Sequence, residues 1–357
     1  MKVKLGDIFE IGSGGTPSKS CPGYYGGNIP WVKTGDLKEM YLHDVEDTIT
    51  EEGLNNSSAK LYEPNTVLIA MYGATIGATS ILRLSACTNQ ACAAFKPNGN
   101  VIPEFLYYFL RSRREKFIKD GVGGAQPNIS AGYLKKVEME LPEFDEQEEI
   151  VNILTRVSGI IGKRKQELQQ LDELIKARFV ELFGNPSNNA KGYPEKVLPE
   201  IAEYWNGLTY KPEDVSDEGT IVLRSSNIQN AVLDFKDIVR VNCKIAEKKY
   251  VQDKDILMCS RNGSARLVGK VALIKNIEEP MSFGAFMMII RSKDYYPYLM
   301  TYFQLPAFRA QITTGATTTI NQITGRMLDV VKLPVPDLDT IKQFAAFVEQ
   351  VDKSKFV

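Results

Sequence analysis

The sequence predicts an α+β protein of two similar mixed domains joined by a long coiled-coil helix. Three observations carry that expectation. The chain repeats itself at an offset of roughly 190 residues, far longer than the period of a solenoid. Residues 145–184 contain no proline and carry apolar side chains at spacings of three and four. The flanking stretches mix short β-type runs with Gly, Pro and Asn punctuation.

The repeat is read residue against residue. Leu5, Ile8, Ile11 and Gly14 find counterparts in Leu198, Ile201, Tyr204 and Gly207. Trp31-Val32-Lys33-Thr34-Gly35-Asp36-Leu37 aligns with Val222-Leu223-Arg224-Ser225-Ser226-Asn227-Ile228, and Val67-Leu68-Ile69 with Ile256-Leu257-Met258. Phe105 to Phe109 matches Tyr298 to Tyr302, Gly124-Ala125 matches Gly315-Ala316, and each copy then reaches a Leu-Pro at Leu141 and Leu333. Two similar domains on a rigid connector are a way to touch two similar targets at a fixed separation.

At 357 residues the chain has room for about two to three domains. An apolar content of 43% suffices for two cores. No run approaches the ~18 apolar residues of a membrane span, and Met1 to Asp7 lacks the apolar stretch of a signal peptide. Cys21, Cys87, Cys92, Cys243 and Cys259 are odd in number, scattered and without a C-x-x-C pair, which favours neither a disulfide framework nor a zinc site. The chain therefore reads as cytoplasmic. Net charge is −1. Free-standing nonspecific DNA binders are usually basic, because phosphate neutralisation supplies their affinity. A neutral chain needs a local basic surface, or a partner that supplies part of it.

In chain order, Thr66 to Met71 is a buried-strand pattern. A helix over about 103–119 starts at Pro103, a favoured early helical position. Its basic run, Arg111 to Lys119, reads first as the solvated face of that helix and second as a phosphate contact. Val137 to Leu141 alternates as a half-buried strand. The long helix carries Ile150, Ile153, Val157 and Ile160, then Leu168, Leu171, Ile175, Phe179 and Leu182, with a slip at Arg164. That is a coiled-coil seam. Asp145 with Glu148 suggests a capping box, and Gly184 before Pro186 suggests the stop. At 1.5 Å per residue the helix is roughly 55–60 Å long. Residues 185–194 form a linker, 195–338 repeat the first domain (1–144), and 339–357 begin a second helix through Ile341, Phe344, Val348 and Val351.

Sites for chemistry are scarce. The one histidine, His43, sits in a loop-like context. Gly263 to Val271 lacks both the glycine spacing and the Ser/Thr of a phosphate-binding loop. Gly12-Ser13-Gly14-Gly15 carries no dinucleotide fingerprint on a strand-to-helix turn. No Asn-Pro-Pro-Tyr or Asp-Pro-Pro-Tyr is present, so the chain is not expected to methylate bases. Pro336-Asp337 and Lys342 have the wrong spacing for a nuclease. The expectation is a recognition protein, not an enzyme.

Lys4-Leu5-Gly6-Asp7, Gly14-Gly15-Thr16-Pro17, Ile29 to Leu37, Gly123 to Ser130, and Leu141-Pro142 with Glu146 to Ile150 resemble the first half of specificity (S) subunits of Type I restriction-modification systems. Arg178-Phe179 with Leu182 to Pro186 resembles the end of that family's central conserved helix, and Phe344 to Lys355 the start of its distal one. The similarity covers nearly the whole chain. The resemblance implies two similar target-recognition domains joined by long antiparallel coiled-coil helices, each domain reading one half of a split double-stranded DNA site. It further implies that the helices set the spacing and dock methyltransferase subunits, and that restriction subunits join. The chain itself would hold no cofactor and no metal. S-adenosylmethionine, ATP and magnesium would belong to the partners. Family members carry a second helix about as long as the first. Here it reaches only Val357, a truncated distal helix by comparison, which leaves docking at that end open.

Base readout calls for Arg, Lys, Asn, Gln, Ser and Thr on loops. In the first domain the candidates are Lys33, Thr34, Tyr72, Asn89, Gln90, Gln126 and Asn128. In the second they are Arg224, Ser225, Asn227, Arg261, Asn262, Arg266, Thr318 and Asn321. The alternative for each is a turn residue bonding its own backbone, an alternative strongest for Asn128 and Asn227. A short second helix would leave Ile150, Ile153, Val157 and Ile160 as the partner-binding stripe. Two rival functions remain. One is a truncated, silent or scaffold-only specificity chain that binds partners but not DNA, which co-purification with a neighbouring methyltransferase would probe. The other is a nuclease, which metal-dependent cleavage by the chain alone would reveal.

Overall fold

The computed structural model describes residues 1–121, 128–313 and 321–355. The chain divides into two compact units, Met1–Lys163 and Arg164–Val357. The long helix, Phe144–Phe183, gives its first half to one unit and its second half to the other.

In the first unit the strands Ile11–Ser13, Cys92–Phe95, Val67–Ala70 and Thr79–Leu82 lie side by side in that order, all antiparallel, with Tyr41–Leu42 added at the edge. The second unit repeats the order with Glu203–Asn206, Met287–Arg291, Ile256–Cys259 and Val271–Leu273, again antiparallel throughout. A second sheet follows the same rule. Tyr25–Val32 pairs in parallel with Ala86–Thr88 and antiparallel with Thr48–Ile49. Thr220–Leu223 pairs in parallel with Met281–Phe283 and antiparallel with Arg240–Val241. A two-stranded ribbon closes each unit, Lys2–Lys4 with Glu138–Glu140 and Glu195–Val197 with Lys332–Pro334. The internal repeat of the sequence is therefore one fold used twice.

Side-chain alternation places the cores. Along the central strand of the first unit, Val67 and Ile69 enter the helix-side core while Leu68 and Ala70 enter the core on the other face. In the second unit Ile256 and Met258 face one core, and Leu257 and Cys259 the other. Each central strand is thus buried on both faces, which explains why it reads as a continuous apolar run.

One pair of glycines explains part of the repeat. The edge strand of each main sheet, Ile11–Ser13 or Glu203–Asn206, runs on past the end of a parallel strand of the second sheet. Gly15 N–H donates to the Thr88 carbonyl at 2.8 Å and Leu208 N–H to the Phe283 carbonyl at 2.6 Å. A Cβ at Gly14 would overlap the Thr88 carbonyl, and one at Gly207 would overlap the Phe283 carbonyl. Gly207→Ala and Gly14→Ala should each destabilise their domain by about 1–3 kcal/mol through overpacking. Gly263→Ala, where an added methyl meets nothing, should stay within about 0.5 kcal/mol. Equal denaturation midpoints for Gly207→Ala and Gly263→Ala would contradict this.

Several boundaries differ from the sequence expectation. The 103–119 helix breaks at Arg113 into Pro103–Ser112 and Arg114–Asp120. Its basic run is partly spent inside the domain: Arg111 donates to the Tyr107 hydroxyl at 2.6 Å, and Arg114 to the Ile76 carbonyl at 3.3 Å. The long helix starts at Phe144, so Asp145 lies in its first turn and is not the cap. Instead Gln147, buried, fastens the start. Its amide donates to the Asn100 and Pro142 carbonyls and accepts from Ile102 N–H, at 3.0–3.1 Å. At the other end Gly184 adopts φ +74° and its N–H bonds the Val180 carbonyl, the left-handed stop that glycine permits. The distal helix, Leu338–Ser354, is capped by Asp337, whose carboxylate accepts from Thr340 N–H and hydroxyl at 2.8 Å each. Those bonds hold Asp337 below the usual carboxylate range.

Within the second unit the distal helix runs antiparallel to the long one. Phe344, near its start, packs edge-on against Phe179 and Phe183. Lys355, past its end, pairs with Asp172 at 2.7 Å, and the Arg164 guanidinium donates to the Lys355 carbonyl at 2.9 Å. Arg164, where the apolar stripe slips, thus serves the terminal carbonyls of the partner helix. Burial works to raise Asp352, but bonds from Lys275 and Lys355 outweigh it and hold the carboxyl below its ordinary value.

Candidate nucleic-acid interface

In the first domain three loops meet where the strands end. Lys33 N–H donates to Asp36 Oδ2 at 2.7 Å, closing the turn that carries Thr34, which is half-buried. Asn89 N–H donates to the Val32 carbonyl at 3.0 Å, and Met71 N–H to the Ala91 carbonyl at 2.8 Å. Tyr72 forms a backbone bridge with Asn128. Lys33, Thr34, Tyr72, Asn89, Gln90 and Asn128 therefore share one loop cluster. Within it Tyr72, Gln90 and Asn128 are exposed. The Lys33 ammonium is already paired with Asp47 and lies 5.6 Å over Trp31. Asn89 spends its side-chain oxygen on Ala91 N–H at 3.1 Å. Gln90 accepts from the Thr16 hydroxyl. Gln126 lies outside the described residues.

The second domain builds the same cluster from different side chains. Arg224 N–H donates to Asn227 Oδ1 at 2.8 Å, the counterpart of the Lys33–Asp36 turn. Asn262 Nδ2 donates to Ser225 Oγ at 3.1 Å, and Asn321 Nδ2 to the Gly263 carbonyl at 3.2 Å. Arg261 bridges Gln322, as Tyr72 bridges Asn128. Arg224, Ser225, Arg261, Asn262 and Asn321 are thereby brought together, and Arg266 is exposed on the adjoining loop. Asn227 is a correction. It is buried, and its amide also donates to the Asp234 and Asp237 carbonyls at 2.9 Å each. It holds the loop and presents nothing to a ligand. Arg224 is partly neutralised by Asp237 at 2.8 Å. Beneath the cluster, the Lys249 ammonium caps the Gly207 carbonyl at 3.1 Å, and burial followed by repulsion from Lys248 lowers its pKa. Thr318 lies outside the described residues.

One residue of this face was not expected. Phe286 is 59% exposed and its ring lies 5.3 Å from the Arg261 guanidinium. The mostly apolar run Phe283 to Ile290 hid it: Gly284 hints at a turn, but nothing in the run says which neighbouring side chain points outward.

On the long helix Ile153, Val157 and Ile160 are 54%, 46% and 65% exposed, and Leu154 and Ile161 widen the same stripe. Ile150 is a correction: with Val151 it is partly buried against the first domain's core, unlike the more exposed residues that follow. No described helix is long and apolar enough to cross a membrane.

A family model described as the Type I restriction modification DNA specificity domain matches residues 1–172 and 191–356. The chain is similar to the MjaIX specificity subunit of a Type I restriction enzyme from Methanocaldococcus jannaschii, 30% identical over 57% of this chain and 48% of that one. It is also similar to the EcoR124I/EcoR124II specificity subunit of Escherichia coli, 27% identical over 49% of this chain and 45% of that one. The chain spans about half the length of these two relatives. Against the EcoKI specificity subunit of Escherichia coli K12, 24% identity extends over 91% of this chain and 75% of the relative. Among solved structures, the S subunit of a Type I restriction-modification system from M. genitalium superposes with a TM-score of 0.55. It covers 99% of this chain and 90% of its own at 15% identity, a likeness of fold.

Proposed function

Because the chain belongs to the Type I restriction modification DNA specificity family, we propose that each of its domains reads one half of a split double-stranded DNA sequence. The observation that carries this is the pair of equivalent loop clusters. The frame is the same in both domains, with the same strand order, the same closing turn and the same backbone bridge. The side chains on it differ: Lys33 against Arg224, Tyr72 against Arg261, Asn128 against Gln322. One frame with two sets of donors suits two different half-sites. With a net charge of −1, phosphate attraction must come from local residues such as Arg266 or from bound partners.

The long helix and its antiparallel partner would set the separation of the half-sites, and the exposed stripe from Ile153 to Ile161 would seat a methyltransferase subunit. Restriction subunits would join that assembly. S-adenosylmethionine, ATP and magnesium would act in those partners, and this chain would contribute recognition only.

A domain exchange tests the reading. With residues 1–144 replaced by the equivalent domain of a relative, methylation patterns in cells carrying the cognate methyltransferase should change in one half-site and keep the other. Simultaneous change of both half-sites would mean that the domains do not read DNA independently.

A further inference from the structure

We propose that Arg261 reads a guanine in the half-site of the second domain, and that Phe286 is the residue that aims it. The inference deepens the half-site reading and rests on it. Among the arginines of this face, Arg224 is tied to Asp237, whereas Arg261 has no carboxylate partner among the described residues. Its guanidinium is nonetheless not free to wander, because it lies 5.3 Å from the Phe286 ring. The backbone beneath it is held from both sides. Arg261 N–H donates to the Phe286 carbonyl at 3.1 Å, and an antiparallel bridge joins Arg261 to Gln322.

Charge, exposure and a guanidinium held beside a ring favour bidentate donation to guanine O6 and N7. A ring contact takes up no hydrogen-bond acceptor, so the N–H donors of the guanidinium stay available. A carboxylate partner would instead consume the fork. In the first domain Tyr72 stands at the equivalent bridge with a single hydroxyl. Such a fork is therefore offered from this bridge in the second domain alone, and the two half-sites differ there.

The test uses the full chain with its cognate methyltransferase, reading the recognised sequence from methylated genomic DNA. The wild-type second half-site should contain a G·C pair. Arg261→Ala should relax discrimination at that pair by roughly 5- to 150-fold, and Arg261→Lys, whose ammonium can still donate to O6 and N7 but without the planar fork, should relax it less, both leaving every position of the first half-site unchanged. Relaxation confined to one pair separates base reading from phosphate contact, whose loss would weaken binding uniformly across sequences. Phe286→Leu should relax the same position less. Arg261 and Phe286 are exposed, so thermal unfolding of all three variants should match the wild type. Undiminished discrimination by Arg261→Ala, or a second half-site without a G·C pair, would overturn the assignment while the half-site reading stood. A wild-type complex that methylates without sequence preference would remove both.

Discussion

Changing Ile153 and Val157 together to glutamate should weaken methyltransferase binding by roughly 10- to 150-fold while leaving the isolated chain as stable as before. The binding side follows from burial. A partner that covers the exposed half of each side chain gains about 0.8–1.5 kcal/mol from each, about 1.5–3 kcal/mol together, and each 1.4 kcal/mol is tenfold in affinity. The stability side follows from exposure. Both positions are about half exposed in the chain, so their loss opens no cavity. Glutamate is the better helix former, which offsets the like-charge pairs it would make with Glu149 and between positions 153 and 157. Calorimetric titration of the double variant against the methyltransferase, beside its thermal melt, reads both quantities. Wild-type affinity would show that this stripe is not the docking face. A collapsed melting temperature would show that the stripe belongs to a core of the chain itself.

The stripe also shows where periodicity stops being informative. Spacings of three and four located the long helix to within a residue at each end, because an uninterrupted amphipathic pattern and a terminal glycine are local properties of the chain. Spacing says which residues share a face, and says nothing about what covers it. Ile150 shares the face with Ile153, yet the first domain takes it, since the buried Gln147 amide draws the helix start onto the loop around Asn100. The break at Arg113 was equally hidden, because Arg111 to Lys119 reads as continuous helix by propensity and a tertiary bond from Arg114 to Ile76 decides otherwise.

The repeat made the fold more legible than the site. Aligning the chain with itself anticipated that one strand order would appear twice, and even the glycines at 14 and 207 are explained by the same backbone crossing. For the candidate interface, residue type found the right loops but not the right atoms. Asn227 and Arg261 look alike to a rule that collects polar residues on turns. Asn227 turns inward to three backbone groups, whereas Arg261 stands over Phe286. Direction is set by the local backbone, which one sequence does not reveal.

The second large effect is expected at Phe179, the residue that seats both helices on the second domain. It is fully buried, stacks on Tyr298 at 5.1 Å, and meets Phe183 at 4.8 Å and Phe344 at 5.7 Å edge-on. Phe179→Ala should cost about 3–5 kcal/mol, the range for removing a buried aromatic ring and leaving its cavity. Val180→Ala, one residue further along the same helix and half exposed, should stay within about 0.5 kcal/mol. The loss should be felt unevenly. Phe344 would lose one of its two aromatic contacts on the long helix, so amides of the distal helix, Leu338–Ser354, should exchange faster with solvent. Amides of the first domain's central strand, Val67–Ala70, whose cores contain no part of this cluster, should keep their protection. Hydrogen exchange resolved by peptide distinguishes these responses, which a single melting curve of a two-domain chain would merge. Unchanged exchange in the distal helix would mean that the ion pairs of Lys355 and Lys275, not the aromatic cluster, hold it in place.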